Sequence, residues 1–241
     1  MRVIVLTSDV SMFLMKGFIL QWMKYKFPIA TNSVLVAGFT PPDFPIPLPY
    51  FEFVSLGDFK DYPINKWSDG LIKLLTSITD PLVLLMLEDF WLMREVNARA
   101  IRIAHSLMLD DNNIARFCLS SDRLYEKSSF DVKSIGDIDI IESPNGIEYR
   151  FSTQASLWRR SSLLELLLPG ETPWEAEILG NTRLNQTDWR VLGTRQWPMR
   201  YMIMVNKGQF DRTGQWMYPP RTLSTQDWDD LKSNGCLPEG V

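Results

Sequence analysis

The fold is indicated most directly by the stretch Leu82-Val83-Leu84-Leu85-Met86-Leu87, which is followed at once by Glu88-Asp89. Its six apolar residues show no polar alternation, and this pattern predicts a strand that is buried on both faces. Such a strand belongs in the middle of a mostly parallel sheet. Because open α/β sheets bind ligands outside the carboxyl ends of their strands, Glu88 and Asp89 are predicted to face a ligand. The alternative is structural: Asp89 caps a turn and Glu88 pairs with an arginine.

Strand-like and helix-like segments alternate on both sides of this run. Strands are predicted at residues 2–6, 33–39, 50–56 and 114–119, and helices at residues 12–25, 67–78 and 95–109. Ser68 or Asp69 is a candidate cap for the second helix. Residues 41–49 contain five prolines and are predicted to form a surface loop. The alternation predicts a three-layer α/β fold, with a mostly parallel sheet and helices on both of its faces.

The pattern changes after about residue 125. Residues 125–150 carry scattered aspartates and a turn signal, and they predict a hairpin or an extended excursion. Thr172, Pro173 and Glu175 then have the spacing of a capping box that opens a helix. A further strand is predicted at residues 201–205. We therefore predict a single domain over residues 1–241, with one half at 1–124 and the other at 125–241.

Composition limits the possible classes of protein. The 241 residues carry 25 Lys and Arg against 29 Asp and Glu, a formal charge of −4, and 45% are hydrophobic. These proportions are typical of a soluble globular protein, and no apolar run approaches the ~20 residues of a membrane span. No secretion signal is visible, and two cysteines are too few for a disulfide framework, so a cytoplasmic location is expected. The totals give no long-range attraction to nucleic acid.

Four blocks of sequence carry a resemblance to a known group of enzymes. They are WSD at 67–69, LLMLEDFWL at 84–92, STQASLWRR at 152–160 and LPGETPWEAE at 168–177. Together they resemble small glycosyltransferase-like proteins of bacterial polysaccharide loci and of phages, which have the GT-A type of fold. The resemblance covers roughly residues 1–210. It implies a GT-A-like fold and a nucleotide-sugar donor such as a UDP-sugar.

The resemblance implies a metal site at Glu88 and Asp89. These acids fall where GT-A enzymes place a D-x-D-like motif, which holds Mn²⁺ or Mg²⁺ against the diphosphate of the donor. The chain departs from that motif, because Phe90 or Trp91 stands at the second acidic position. Many GT-A enzymes also use a C-terminal histidine, whereas the single histidine here is His105, inside a predicted helix.

A third ligand or a phosphate clamp could come from the polar segment after the last strand. The candidates are Lys207, Asp211 and Arg212, and the alternative for each is an ordinary surface residue.

The resemblance also implies positions for the donor and the acceptor. Thr7, Ser8 and Asp9 end the first strand, where such enzymes receive the nucleotide, and Trp67 and Ser68 lie in a block that approaches it; Asp89 is expected to touch the donor as well. Near a helix start, Glu177 is favoured over Glu175 as the base for the acceptor hydroxyl, because Glu175 is needed for the capping box. Trp174, and with it Trp158, is assigned to the acceptor, with packing as the alternative.

A series of arginines could bind the phosphates of a donor or of DNA, although a solvated face is the alternative. It consists of Arg159, Arg160, Arg183, Arg190, Arg195 and Arg200.

The sequence therefore predicts a glycosyltransferase that moves a sugar from a nucleotide diphosphate to a hydroxyl acceptor. The acceptor is either a glycan or, in a phage, a hydroxymethylated DNA base. Two alternatives stay open: a catalytically silent α/β protein that binds a glycan or a partner, and a nucleotidyltransferase, which would need a further well-placed acid.

Overall fold

The computed structural model describes residues 1–25, 33–120, 128–217 and 219–238. A nine-stranded sheet runs through these ranges, with two small two-stranded pairs beside it. The strands are β1 (Arg2–Leu6), β2 (Val34–Gly38), β3 (Phe51–Ser55), β4 (Leu82–Leu87), β5 (Phe90–Leu92), β6 (Ile114–Cys118), β7 (Phe130–Ile135), β8 (Ile138–Ser143), β9 (Ser156–Arg159), β10 (Arg190–Thr194), β11 (Tyr201–Ile203), β12 (Val205–Asn206) and β13 (Gln209–Phe210). The helices are α1 (Met15–Lys24), α2 (Trp67–Ser77), α3 (Ala98–Asp110), α4 (Arg160–Leu166), α5 (Pro173–Leu184) and α6 (Thr225–Ser233).

The strand order across the large sheet is β3-β2-β1-β4-β9-β6-β10-β8-β7. β1 pairs in parallel with β2 and β4, β2 with β3, and β6 with β10. β9 lies antiparallel between β4 and β6, and β8 lies antiparallel between β10 and β7. Seven of the nine strands of this sheet therefore run in one direction. This confirms the predicted mostly parallel sheet.

The β4 strand has the central, doubly buried position that its sequence predicts. Leu84 and its neighbours at alternate positions enter a core shared with α1, α3 and α6, whereas Val83 and Leu85 enter a second core shared with α2, α4 and α5. The two cores lie on opposite faces of the sheet, because successive side chains of a strand point to opposite sides. The molecule thus has three layers, as predicted.

Two helices begin later than their apolar periodicity suggests. A 3-10 turn at Met12–Leu14 precedes α1, so the α-helix itself starts at Met15. In α3 the Asn97 side chain accepts a hydrogen bond from the Ala100 amide at 3.0 Å, and this cap sets the helix start at Ala98. Periodicity locates the buried face of a helix, but the capping residue decides where the helix begins.

The predicted caps of α2 are wrong, whereas that of α5 is confirmed. Lys66 occupies the cap position of α2 and makes no side-chain cap bond. Ser68 and Asp69 instead accept hydrogen bonds from the amides of the neighbouring loop at residues 170–171, at 3.0 and 2.7 Å. In α5 the Thr172 side chain and Glu175 form a complete capping box.

The predicted excursion at residues 125–150 contains the β7–β8 hairpin at the edge of the sheet. The predicted boundary between the two halves falls within residues 121–127, outside the described residues, so this division stays a prediction. Within the described ranges no helix has the length and apolarity needed to cross a bilayer.

Candidate functional site

The strands β1, β2 and β4 end side by side, and the residues that follow them form the floor of a cavity. The Glu88 amide donates to the Leu6 carbonyl at 3.2 Å, and the Thr7 amide donates to the Ala37 carbonyl at 2.9 Å. Thr7 and Glu88 therefore leave the sheet at the same edge. This is the edge at which α/β sheets bind ligands.

The cavity at this edge has a volume of about 430 Å³. Of the residues predicted to form a site, Thr7, Ser8, Trp67 and Glu88 line it, whereas Asp9, Ser68 and Asp89 do not. The other lining residues are mostly apolar or aromatic, and they are Leu6, Val10, Ser11, Phe39, Leu56, Phe59, Tyr62, Ile64, Gly70, Leu71, Leu87, Thr153 and Pro173.

One wall of the cavity is aromatic. The Phe39 ring lies 5.3 Å from that of Phe59 and 5.5 Å from that of Tyr62, measured between ring centroids. The Lys73 ammonium lies 5.7 Å from the centroid of Tyr62 and donates to the Leu56 carbonyl at 2.6 Å, which fixes the edge of the wall. Flat apolar rings of this kind suit a planar ligand group such as a nucleobase.

Two acids follow β4, Glu88 in the floor of the cavity and its buried neighbour Asp89, and their charges are poorly compensated. Burial raises the pKa of Glu88 to about 7, although a hydrogen bond from Ser11 opposes the shift. Burial, and then the charge of Glu88, raise the pKa of Asp89 well above its ordinary value. Oδ1 of Asp89 is buried and has no hydrogen-bond partner in the described part of the chain. A buried carboxylate oxygen of this kind is costly unless a ligand satisfies it.

The alternative in which these acids serve structure alone finds no support in the ion pairs. Among the described residues, no arginine or lysine pairs with Glu88 or Asp89. The Thr7 hydroxyl on the same floor is also buried without a hydrogen-bond partner. Two buried polar atoms at this end of the sheet, Oγ1 of Thr7 in the lining and Oδ1 of Asp89 behind it, therefore have no hydrogen-bond partner among the described residues.

Of the candidates for a third metal ligand or a phosphate clamp, Asp211 and Arg212 have contacts with other described residues. Asp211 accepts hydrogen bonds from the amides of Thr213 and Gly214 at 2.8 and 3.2 Å. Arg212 packs over the Trp228 ring. His105 lies in α3, and burial lowers its pKa. Lys207 lies in the turn between β12 and β13, with a φ of 49°. In the ranges that the structure describes, no three His, Cys, Asp or Glu side chains converge on one point.

Two residues predicted to bind the nucleotide have supporting roles instead. Asp9 accepts hydrogen bonds from the amide and hydroxyl of Thr40 at 2.9 and 2.7 Å, and it faces a separate cavity on the other side of its loop. Ser68 is fully buried against the loop that leads into α5. Both are short polar side chains beside backbone amides, and such side chains readily bond to a neighbouring segment.

The predicted acceptor residues divide in the same way. Oε1 of Glu177 accepts hydrogen bonds from the amide and hydroxyl of Thr153, at 2.6 and 2.8 Å, so it lies directly behind a residue of the cavity. Glu175 accepts from the Thr172 amide at 2.9 Å, and this hydrogen bond lowers its pKa. Trp174 is 65% exposed, next to Pro173 of the cavity.

The assignment of Trp158 to the acceptor is wrong. Its side chain is 0% exposed in the middle of the sheet, where it lies between the Phe151 ring, 5.0 Å away, and the Arg116 guanidinium, 5.6 Å away. Packing, the alternative that the sequence left open, accounts for this residue.

Most of the predicted basic series is committed to structure. Arg183 forms a two-pronged ion pair with buried Glu171, at 2.8 and 2.9 Å. Arg190 pairs with Asp111 and Glu142, and Arg195 pairs with Asp131. Arg159 and Arg160 donate to backbone carbonyls. Of the six arginines, Arg200 alone has no hydrogen bond or ion pair from its side chain to a described residue.

Comparison with known proteins finds similarity to solved structures only. No family model matches the chain, and no curated protein matches it. Residues 1–349 of TarS from S. aureus, in complex with UDP, superpose with a TM-score of 0.51 at 10% identity, covering 97% of this chain and 64% of that one. Another structure of TarS 1–349 gives a TM-score of 0.50 at 12% identity, covering 83% and 59%. A UTP-bound UGPase from Acinetobacter baumannii gives a TM-score of 0.47 at 9% identity, covering 84% and 88%.

The chain has a GT-A-like α/β fold. At these identities the similarity shows the fold alone, and the chain spans about three fifths of the length of those TarS structures. The expected kinship to a particular polysaccharide-locus family has no matching family model behind it.

None of the three rings of the aromatic wall was predicted from the sequence. Phe39 directly follows β2, so the rule that ligands bind at the carboxyl ends of strands could have indicated it. Phe59 and Tyr62 lie in and just after a 3-10 turn beyond β3, and no periodicity marks them. Thr153 also lacked a local signal, because its place in the cavity depends on the long-range contact with Glu177.

Proposed function

We propose that the chain is a glycosyltransferase that takes a sugar from a nucleotide diphosphate and gives it to a hydroxyl acceptor. The observation that carries the proposal is the cavity at the ends of β1, β2 and β4, where an aromatic wall stands beside Glu88 of the lining and its buried neighbour Asp89, neither of which has an ion pair with a described residue. A nucleotide diphosphate needs both features, a flat surface for its base and a means of binding its diphosphate. The similarity to a structure of TarS with bound UDP supports this use of the fold.

In this proposal the floor and wall of the cavity bind the donor. Trp67 and the aromatic wall hold the base, while Thr7 and Ser8 face the ribose and phosphates. Asp9 and Ser68 act indirectly. Asp9 ties the loop that carries Ser8 to Thr40, and Ser68 anchors the loop before α5, so both keep the cavity in shape.

We assign Glu88 and Asp89 to a divalent cation, Mn²⁺ or Mg²⁺. The unpartnered Oδ1 of Asp89 and the raised pKa values of both acids fit a hard cation, which prefers carboxylate oxygens. Two carboxylates suit an ion that keeps water and phosphate oxygens as its other ligands. When bound, such a cation neutralises the departing diphosphate. Both acids must be ionised to bind it, so binding releases protons.

We assign the acceptor side to α5. Glu177 is the proposed base for the attacking hydroxyl, and its bonds to Thr153 fix the direction of its carboxylate. Trp174 offers an exposed ring beside it for a sugar of the acceptor. This role for Glu177 belongs to an inverting reaction, because a retaining reaction needs no such base.

The test is a screen of nucleotide sugars for turnover in the presence of Mn²⁺. Wild type should turn over at least one donor, Asp89→Ala should lose the activity, and Glu177→Gln should lose about 100-fold in kcat. Glu175→Gln is the matched control, because it removes an acid from the same helix without reaching Thr153, and it should keep its activity. Full activity in Asp89→Ala would contradict the proposal.

A second candidate is a catalytically silent protein that binds nucleotide or glycan. The engagement of Glu177 with Thr153 favours it, because that carboxylate already has a structural task. Titration of UDP with and without Mn²⁺ separates the two functions: the transferase should bind UDP more tightly with the metal, and the silent protein should bind it equally in both cases. A nucleotidyltransferase would need a third converging acid, and the described residues offer none.

A further inference from the structure

Two arginines meet at one end of the ribbon formed by β5 and β11. The Met93 amide donates to the Arg200 carbonyl at 3.0 Å, so Arg94 and Arg200 lie at the same end of the ribbon. At the other end the Met204 amide donates to the Asp89 carbonyl at 2.9 Å. The ribbon thus carries an acid at one end and two cations at the other.

A third arginine, Arg221, lies at the same end of the ribbon, against the ring of Trp197. The Arg200 guanidinium lies 4.5 Å from the centroid of the Trp197 ring, and that of Arg221 lies 4.7 Å from it. Arg221 also lies 5.9 Å from the centroid of Tyr201 in β11. The Trp197 backbone has a φ of 46°, in a region that non-glycine residues rarely adopt. The guanidinium groups of Arg200 and Arg221 therefore both pack against the Trp197 ring.

Two of these three arginines have no acidic partner among the described residues. Neither Arg94 nor Arg200 has an ion pair with an acid of the described residues, and Nε of Arg200 is buried without a hydrogen-bond partner. Burial, and then the charge of Arg200, lower the pKa of Arg94. Arg183 and Arg190, by contrast, have close carboxylate partners. Guanidinium groups without a counter-charge, such as those of Arg94 and Arg200, are suited to a bound anion.

We propose that Arg94, Arg200 and Arg221 form a subsite for an anionic group, a phosphate or carboxylate, of an acidic glycan acceptor. This rests on the proposed glycosyltransferase function. Met93 lies four positions after Asp89 along β5, which corresponds to about 13 Å of extended chain. The subsite therefore holds a charged group of the acceptor at a distance from the reacting hydroxyl, and it selects acidic over neutral acceptors.

The distribution of charge favours a glycan over DNA. Binding to DNA draws its affinity from many phosphate contacts along a basic surface. Five of the six arginines between residues 159 and 200 are committed to carboxylates or backbone carbonyls, and the chain as a whole carries a formal charge of −4. The remaining cluster is the size of one anionic group rather than of a nucleic-acid backbone.

The experiment is a titration of the full chain, followed by NMR at the Nε–Hε group of Arg200 and the indole N–H of Trp197. The probes are glucuronic acid, glucose 6-phosphate, neutral glucose and a short DNA duplex. Glucuronic acid or glucose 6-phosphate should shift both signals, and the pair tells whether carboxylate or phosphate is preferred. Glucose should shift neither signal.

Variants show whether the anion binds at this place. Arg200→Gln should weaken binding of the anionic sugar about tenfold or more, because it removes charged hydrogen bonds. Arg195→Gln, which removes the same charge from an exposed ion pair with Asp131, should leave binding unchanged. Equal losses in both variants, or no binding of either anionic sugar to wild type, would overturn the proposal. Tighter binding of the duplex that depends on Arg200 would replace it with a DNA site.

A parallel UDP titration keeps the two proposals apart. If UDP binds and the anionic sugars do not, the acceptor subsite fails while the donor site stands. If the anionic sugars bind through Arg200 but UDP does not bind at all, the proposed function fails and the anion site stands without it.

Discussion

Asp227 and Asp89 are both buried acids, and the molecule treats them in opposite ways. Asp227 of α6 is fully buried and accepts from Lys24 at 2.8 Å, Tyr25 at 2.8 Å and Ser224 at 2.6 Å. Oδ1 of Asp89 has no such partner. Burial opposes the ionisation of Asp227, but its hydrogen bonds outweigh that effect and hold its pKa below the ordinary value. The pKa of Asp89 is raised.

The charge of Asp227 joins two helices, whereas Asp89 has a buried carboxylate oxygen without a hydrogen-bond partner. The bonds of Asp227 tie α6 to the end of α1 across the sequence. The acids after β4 have no ion pair with a described residue, although burying their charge costs free energy. The Ser11 hydroxyl bonds to Glu88, and the Val205 amide bonds to Asp89. Acids that are buried beside a cavity, with raised pKa values and no ion-pair partner, are typical of functional sites.

The largest difference in stability is expected between the variants Asp227→Ala and Asp89→Asn. Removing Asp227 leaves Lys24 and Tyr25 without their partner, and we expect the free energy of unfolding to fall by about 3 kcal/mol. Asp89→Asn removes an uncompensated charge, so the free energy of unfolding should stay the same or rise. Denaturant unfolding followed by circular dichroism measures both. Equal destabilisation would show that Asp89 is also structural.

The dependence of stability on pH should separate the two acids by direction. In the folded state Glu88 keeps its proton up to a pH of about 7, whereas the unfolded chain releases it near 4.5. Between these values the folded state binds more protons, so the stability of the metal-free protein should fall as pH rises, by on the order of 2 kcal/mol. The stabilisation from Asp227 is instead complete above its ordinary pKa of about 3.9 and is lost as pH falls through its lowered value.

Glu88→Gln tests this prediction. Unfolding at a series of pH values in the presence of a chelator should show the decline between about pH 5 and pH 7 in wild type and a flatter profile in the variant. A decline that persists unchanged in Glu88→Gln would have to come from other groups. The loss of stability in acid should remain in this variant and should become smaller when Asp227 is removed.

Features that depend on local sequence patterns could be predicted, whereas features that depend on contacts between distant segments could not. The apolar run of β4 fixed its place, because only burial on both faces tolerates six apolar residues without alternation. The capping box of Thr172 and Glu175 is local chemistry and was legible. Glu88 and Asp89 were found because a rule of fold geometry applies to any strand end.

The rest depends on contacts between distant segments. Ser68 resembles a helix cap in sequence, yet its hydroxyl bonds to an amide 103 residues away. Arg183 and Arg190 resemble phosphate ligands, and only the folded chain shows their carboxylate partners. Trp158 is one of nine tryptophans, and no local pattern tells a core ring from an exposed one.

A smaller effect, on the affinity for UDP, is expected when an aromatic ring of the cavity lining is removed. Trp67→Leu removes a ring from the lining, and we expect UDP to bind about tenfold more weakly, because stacking of a base on an aromatic ring contributes about 1–3 kcal/mol. Trp174→Leu, which changes an exposed ring outside the lining, is the control and should leave UDP affinity unchanged. Isothermal titration calorimetry measures both. Loss in the Trp174 variant alone would move the base to the other side of α5.

The smallest effect is expected at Glu175, the acid whose charge is both exposed and satisfied. Its hydrogen bond with the Thr172 amide holds its pKa below the ordinary value, so its charge supports the start of α5. Glu175→Gln keeps a side chain that can accept the same bond, and we expect only a slight fall in Tm. Thermal unfolding measures it, with Thr172→Ala as the control that removes the other half of the box. A large fall in Glu175→Gln would mean that this acid, like Asp227, holds two elements together rather than completing one helix end.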